Sequence, residues 1–179
     1  MTGLDGCIHI LVMGVAGSGK STIAAALAHA LGLEMIEGDA LHPAANVEKM
    51  RHAIPLTDDD RRPWLEALAT ILADRHARRH GTVLACSALR RAYRDVLRAA
   101  VPADETFIVE LDVDAGTLRA RMAQRTGHFM PVSLLDSQLA TLEHIAADEV
   151  GVAVDASGAI DAVTREAIAA IDAWVAAKR

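Results

Sequence analysis

The chain has 179 residues, a length that fits one domain able to bury most of its apolar surface. Hydrophobic residues make up 52% and charged residues 23%, which predicts a packed globule and excludes a disordered chain. The net charge of −6 argues against a sequence-independent nucleic-acid surface, which needs a basic face. No apolar run approaches the ~20 residues of a membrane span, so neither nucleic acid nor membrane is an expected partner.

The N-terminal residues and the cysteines indicate a cytoplasmic protein. The first residues lack the positively charged lead and the cleavage site of a secretory signal. Cys7 and Cys86 are the only cysteines, and they lie far apart without the spacing of metal ligands. We therefore expect both to be reduced thiols.

Short apolar runs alternate with helical patterns along the chain, which is typical of a parallel sheet wrapped by helices. Strands are predicted at residues 8–13, 33–37, 82–86, 106–111 and 150–154. Helices are predicted at about residues 20–31, 43–52, 61–79, 88–99, 115–124, 133–143 and 159–177. No repeat, low-complexity tract or flexible linker interrupts the pattern, so residues 1–179 are expected to form a single domain.

A glycine-rich turn joins the first predicted strand to the first predicted helix, and it reads Gly14-Val15-Ala16-Gly17-Ser18-Gly19-Lys20-Ser21. This is the pattern of a phosphate-binding loop (P-loop, or Walker A motif), in which backbone N–H groups and a helix N-terminus surround phosphate oxygens. Lys20 should reach the β- and γ-phosphates of ATP, Ser21 should ligate Mg²⁺, and Thr22 extends the nucleotide site. A turn that merely links strand to helix is the alternative, and the buried-type strand before it and the Ala/Leu helix after it disfavour that alternative.

The loop and the element order predict an α/β fold of the three-layer P-loop NTPase type, similar to nucleoside-monophosphate kinases. It should have a five-stranded parallel sheet flanked by helices and a helical lid. Two inserts are expected, an acceptor-binding one at about residues 40–65 and the lid at about residues 121–135.

A short chain of this class transfers a phosphoryl group to a small molecule, and it needs a group that orients the acceptor hydroxyl. A guanine-reading Asn-Lys-x-Asp element is absent, which disfavours a GTPase switch. Asp39 follows the second strand at the sheet edge where ligands bind, and it could accept the hydroxyl proton or hold magnesium through water. An N-cap for the helix that starts near Pro43 is the other interpretation of Asp39. His42 could hydrogen-bond the acceptor.

Two arginines on one predicted helical face, Arg121 and Arg125, are candidates for the lid. Such a pair could clamp ATP, with Arg121 binding the nucleotide and Arg125 acting catalytically on the transferring phosphate. A plain solvated helix face is the alternative.

Several motifs in one order resemble the gluconate kinase (gluconokinase) family, which is related to shikimate and adenylate kinases. The resemblance extends from Met13 to about Glu143. Besides the phosphate loop it rests on Gly38-Asp39-x-x-His42-Pro43, Asn46-x-x-Lys49-Met50, Pro55-Leu56-x-Asp58-x-Asp60-Arg61-x-Pro63-Trp64-Leu65, Cys86-Ser87-Ala88-Leu89, Tyr93-Arg94-Asp95 and Gly127-His128-Phe129. It implies ATP- and Mg²⁺-dependent phosphorylation of D-gluconate to 6-phospho-D-gluconate, and a homodimer.

Gluconate is a carboxylate on a polyol chain, so its pocket needs a basic group and several polar groups. The substrate-binding candidates are Asp39, His42, Arg61, Ser87, Arg90, Arg94 and His128, with Lys49 and Tyr93 as further possibilities. Arg94 and Arg61 are the favoured anchors for the carboxylate. The chain departs from the usual family pattern at Ala53, where a Gly is typical, and at Arg90, where a Lys is typical.

Two alternatives stay open. A shikimate-kinase-like enzyme acting on another hydroxy acid is disfavoured because Ala85-Cys86-Ser87-Ala88 stands where that family has a Gly-Gly-Gly loop. A non-catalytic nucleotide-binding regulator would not need the acceptor-side residues Asp39, His42 and Arg94.

Overall fold

The computed structural model of the protein describes residues 7–124 and 132–178. Its sheet is parallel throughout and contains β1 (His9–Met13), β2 (Glu34–Glu37), β3 (Thr82–Ala85), β4 (Thr106–Asp112) and β5 (Gly151–Asp155). The strand order is β2-β3-β1-β4-β5, so the strand that precedes the phosphate loop lies at the centre. This confirms the predicted α/β fold with a five-stranded parallel sheet.

The helices lie close to the predicted ranges. They are α1 (Lys20–Leu31), α2 (Ala44–Arg51), α3 (Asp58–Ala77), α4 (Arg91–Arg98), α5 (Ala115–Gln124), α6 (Leu135–Thr141) and α7 (Ile160–Ala176). Short 3-10 turns occupy Gly38–Leu41, Ala103–Glu105 and Val132–Leu134. Residues 125–131 of the predicted lid lie outside the described ranges. Each described helix is too short or too polar to cross a membrane.

Two helix starts differ from the sequence prediction, each for a local reason. Helix α3 begins at Asp58 because Thr57 and Asp60 form a capping box: the Asp60 N–H donates to the Thr57 hydroxyl, and the Thr57 N–H donates to the Asp60 carboxylate. Helix α4 begins at Arg91 and not near Ala88. Ala88 has a φ of 40°, a left-handed conformation that cannot continue a helix.

The sheet separates two aliphatic cores. Helices α1 and α7 cover one face, where Ile23, Leu27 and Ile171 pack on Val12 and Val109. Helices α3 and α4 cover the other face, where Leu68, Leu72 and Leu97 are buried with Leu11 and Ile108. Both faces of the sheet are therefore covered by helices among the described residues. The loops at the carboxyl ends of the strands form the candidate site.

Candidate active site

The phosphate loop has the backbone that anion binding requires. Gly14, Gly17 and Gly19 have φ values of 145°, 84° and 97°, which favour glycine. A Cβ on Gly14 would lie 2.8 Å from Ser18 Oγ, so the loop has no room for a side chain there. The Lys20 side chain is 8% exposed, and its Nζ donates to the carbonyl oxygen of Val15 at 3.1 Å. The backbone N–H groups of the loop and the Lys20 ammonium together form a donor set that fits the phosphates of a nucleotide.

A cleft beside the loop brings together residues from separate parts of the chain, and we call it the acceptor cleft. Its lining includes Ala16, Gly19, Lys20, Ser21, Thr22, Asp39, His42, Arg61, Ser87, Tyr93, Arg121 and Gln138. Seven of the ten nucleotide candidates and four of the seven substrate candidates therefore line one cavity. A hydroxyl acceptor in this cleft would lie against the phosphate end of the loop.

Asp39 lies in the 3-10 turn after β2 and lines the acceptor cleft. The N-cap of α2 is Pro43, without a side-chain cap, so the alternative role of Asp39 as a helix cap is wrong. A carboxylate that lines the same cleft as Lys20 can accept a proton from a bound hydroxyl.

His42 is held as a neutral ring beside Asp39. Its imidazole stacks on the indole of Trp64 with a centroid distance of 4.0 Å, and Trp64 Nε1 donates to the Gly38 carbonyl at 2.8 Å. Burial lowers the pKa of His42 to about 4, since the opposing effect of Asp39 is smaller and the charge of Arg61 adds to the lowering. At neutral pH the ring therefore carries one donor and one acceptor. Trp64 is 1% exposed and therefore packs in the core.

Arg61 lines the far part of the cleft and belongs to a small polar cluster. Its Nη1 donates to the Leu56 carbonyl at 2.6 Å and to the Tyr93 hydroxyl at 3.3 Å. The Tyr93 hydroxyl in turn donates to Asp58, which also pairs with Arg90 at 2.8 Å. The side chain of Arg61 is 17% exposed, so part of its charge remains available to the cleft. Arg90 lies at the rim, next to the Tyr93 ring, and does not line the cavity.

Arg94 is not in the cleft, and this corrects its interpretation as a substrate ligand. Its side chain is fully buried, and Nε and Nη2 each donate to a carboxylate oxygen of Glu149 at 2.6 Å. The remaining N–H groups donate to the backbone carbonyls of Ala88, Glu143 and His144. All five guanidinium donors are thus used inside the protein, and Arg94 holds the segment after α6 against α4. Lys49 is likewise paired, with Asp60 at 2.7 Å.

A second cleft lies on the other side of the phosphate loop, and we call it the nucleotide cleft. It is lined by Gly17, Gly19, Thr22, Arg121, Gly158 and Ile160, among others. Arg121 borders both clefts, and its Nη2 donates to the carbonyls of Ala156 and Ser157 at 2.9 and 3.1 Å. This position is suited to a base or ribose next to the loop. The predicted residues Arg125 and His128 lie outside the described ranges.

Gln138 is a site residue that sequence reasoning missed. It lies on α6 and accepts a hydrogen bond from the Ala16 N–H of the phosphate loop, with 2.6 Å between Oε1 and N. The carboxamide oxygen thus accepts a hydrogen bond from a loop N–H that could otherwise donate to a phosphate oxygen. No local signal marks this residue, because a glutamine in a short helix carries no motif by itself.

Comparisons with known proteins agree with this geometry. The AAA domain family model matches residues 10–145. A gluconokinase of Gluconobacter oxydans is 49% identical over 89% of this chain and 88% of its own length. The crystal structure of a gluconokinase from Sinorhizobium meliloti superposes with a TM-score of 0.85 at 47% identity, covering 94% of each chain. An unliganded sugar kinase from a Janibacter species superposes with a TM-score of 0.88 at 45% identity, covering 92% of this chain and 94% of its own. With an AAA domain match of this extent and relatives this similar over nearly its whole length, the chain belongs to the gluconokinase family of P-loop kinases.

Proposed function

We propose that the protein transfers the γ-phosphoryl group of ATP to the terminal hydroxyl of D-gluconate, producing ADP and 6-phospho-D-gluconate. The observation that carries the proposal is the acceptor cleft, in which Lys20 and Ala16 of the phosphate loop face Asp39, His42 and Arg61. The names of the relatives favour gluconate over the shikimate-like acceptor and over a regulator without an acceptor.

On the nucleotide side, the phosphate loop and Lys20 would hold the phosphates while the nucleotide cleft takes the nucleoside. The buried Lys20 ammonium would stabilise charge that develops on the transferring phosphoryl group. The Ser21 hydroxyl, which lines the same cleft, would be the protein ligand of Mg²⁺. When bound there, the metal would supply positive charge that offsets part of the charge of the phosphates. Arg125 remains the predicted catalytic arginine of the lid.

On the acceptor side, Asp39 would accept the proton of the terminal hydroxyl as that oxygen bonds to phosphorus and the bond to ADP breaks. Arg61 is the basic candidate that lines the cleft, whereas Arg94 and Lys49 are engaged by carboxylates elsewhere. We therefore assign the substrate carboxylate to Arg61. Neutral His42 and Ser87 would hydrogen-bond the hydroxyls between the two ends, and Arg90 would contribute positive charge at the rim.

The Gln138 carboxamide would compete with a nucleotide phosphate for the Ala16 N–H. When a phosphate oxygen takes the Ala16 N–H, the Gln138 carboxamide has to leave it. The helix that carries Gln138 follows the lid segment directly, so nucleotide binding and the position of α6 would be coupled. A homodimer and a cytoplasmic location remain part of the proposal.

A coupled assay of ADP release with gluconate, shikimate and AMP as acceptors tests the substrate. Gluconate should support turnover far above the other two compounds. ADP release at the background rate with gluconate would contradict the proposal.

The Asp39→Asn variant tests the role of the carboxylate. It should lower kcat by at least about 100-fold, the usual contribution of a positioned base, with ATP affinity nearly unchanged. The matched control is Asp59→Asn on the first turn of α3, where the carboxylate is 90% exposed and pairs only with Arg62 in the described structure. A kcat within about two-fold of the wild type in Asp39→Asn would remove Asp39 from the reaction.

A further inference from the structure

A cluster of metal-binding side chains lies at the end of the sheet opposite to the phosphate loop. Cys7 lies two residues before His9, which is the first residue of β1, and both side chains are buried. His76 reaches them from the last turn of α3. One ligand atom from each of the three side chains lies within 4.8 Å of the other two.

The separation between Cys7 and His9 agrees with tetrahedral coordination. Cys7 Sγ and His9 Nε2 are 3.5 Å apart. Two ligands at Zn–S ≈ 2.3 Å and Zn–N ≈ 2.0 Å with a tetrahedral angle would be separated by about 3.5 Å. The opposite nitrogen of His9, Nδ1, lies 2.9 Å from the Thr82 hydroxyl, a partner that orients the ring as outer-shell groups of metal sites do.

Glu105 completes the surroundings of the cluster. Its Oε2 lies 3.1 Å from His76 Nδ1, but neither atom has a hydrogen bond of acceptable geometry among the described residues. Two buried polar atoms without a satisfied hydrogen bond are costly in a dry interior, and a bound cation would compensate them. The Glu105 carboxylate is not among the three mutually close ligand atoms, so a rotation of its side chain would bring it to the fourth position of the tetrahedron.

Burial and charge suit a divalent cation of borderline softness. Cys7 and His9 are 4% and 2% exposed, whereas the His76 and Glu105 side chains are each 29% exposed and leave an entry path. A thiol sulfur, two imidazole nitrogens and a carboxylate oxygen are ligand types that Zn²⁺ takes in proteins.

We propose that Cys7, His9 and His76, with Glu105 as the fourth group, form a structural zinc site. On binding, the Cys7 thiol releases its proton to water and forms a sulfur–zinc bond. The site would tie the start of β1 to the end of α3, the helix whose other end carries Arg61 and Trp64. It would not take part in catalysis, since β1 separates it from Gly14 by roughly 16 Å at about 3.3 Å per residue.

Zinc titration of the full-length, tag-free, chelator-treated protein tests the proposal, with a chromophoric chelator as competitor. The wild type should bind Zn²⁺ in an equimolar amount. Cys7→Ser and His76→Ala should each weaken binding at least about tenfold. His80→Ala is the matched control, because His80 is exposed, lies four positions after His76 and is not in the cluster. It should bind within about two-fold of the wild type.

Cobalt substitution provides a readout that does not depend on a variant that folds poorly. Co²⁺ bound to the wild type should show a sulfur-to-cobalt charge-transfer band and the intense visible bands of tetrahedral cobalt, and saturating Zn²⁺ should remove both. Kinase turnover of His76→Ala should stay within about two-fold of the wild type. A wild type that binds no equimolar Zn²⁺, or a cobalt complex without the sulfur band, would overturn the proposal.

Discussion

Replacement of Arg94 by Met is expected to destabilise the fold while leaving the affinity for gluconate nearly unchanged. The reason is the environment of the guanidinium: it is fully buried and paired with Glu149, which is also fully buried. Without Arg94, the Glu149 carboxylate would keep the N–H of Ala146 at 3.1 Å and a longer ion pair with Arg98 at 3.8 Å. The buried charge would then lose both of its short charged hydrogen bonds.

The expected size of the effect follows from that burial. Breaking a buried ion pair by removing one partner costs about 3–5 kcal/mol. This is a large share of the roughly 5–15 kcal/mol by which a domain is stable. At about 2–4 °C per kcal/mol for a chain of this size, the Tm should fall by roughly 6–20 °C.

Urea unfolding and steady-state kinetics at a temperature where the variant is folded measure the two quantities separately. Arg91→Met is the matched control: Arg91 lies on the same helix, but its ion pair with Asp148 is exposed, so the loss of stability should be much smaller. Arg61→Met should show the reverse pattern, with a KM for gluconate raised at least about tenfold and a smaller loss of stability. The double variant Arg94→Met/Glu149→Leu should recover part of the loss, since it leaves no unpaired charge.

An Arg94→Met variant with wild-type stability and a strongly raised KM for gluconate would refute this reasoning. It would mean that the guanidinium leaves Glu149 and reaches the substrate in the working enzyme. The sequence-based interpretation of Arg94 would then be restored.

Three further outcomes are expected. Gln138→Leu should tighten ATP binding by up to about five-fold, measured by calorimetry. The reason is that a hydrogen bond of about 1 kcal/mol no longer competes for the Ala16 N–H. Weaker binding would mean that Gln138 contacts the bound nucleotide. Ala53→Gly should raise the free energy of unfolding by about 0.5 kcal/mol, measured by urea unfolding. The left-handed φ of 57° strains Ala, and relief of this strain should exceed the cost of the greater conformational entropy of Gly in the unfolded chain. A loss of stability would show that the strain is absent. The NMR titration of His42 should have its midpoint at about 4 and not at 6.5. Since the unfolded chain binds that proton more tightly, His42 makes the fold less stable as the pH falls from about 6.5 towards 4, and His42→Gln should flatten this dependence.

The elements of the fold could be predicted from the sequence because their signals are local. The buried run before Gly14 and the Ala/Leu run after Lys20 each lie within one element, and the range of α1 was predicted to the residue. The start of α3 was predicted at residue 61, whereas the helix begins at Asp58. Its capping box adds a first turn rich in carboxylates, which hydrophobic periodicity alone does not include in the helix.

The residues of the candidate site also fall into those that local sequence signals identify and those that only long-range contacts identify. Asp39 and Ser87 could be identified because each directly follows a strand, and parallel strands end at one edge of the sheet. Arg61 and Arg94 could not be told apart, since both are arginines near the predicted pocket. Only the contact with Glu149, 55 residues away along the chain, shows that one of them is part of the core.

The sequence by itself determined the phosphate loop, the α/β class and the family, because these depend on residues that are consecutive or on the order of segments. Tertiary structure alone decided which basic side chain faces the cleft, that Gln138 covers the Ala16 amide, and that Cys7 and His9 meet His76. The physical reason is that side-chain partners are set by how helices pack on the sheet, which brings together residues far apart in the chain. A spacing rule applied along the sequence cannot detect a cysteine, two histidines and a glutamate that come from the start of β1 and the residues just before it, from α3 and from the turn before β4.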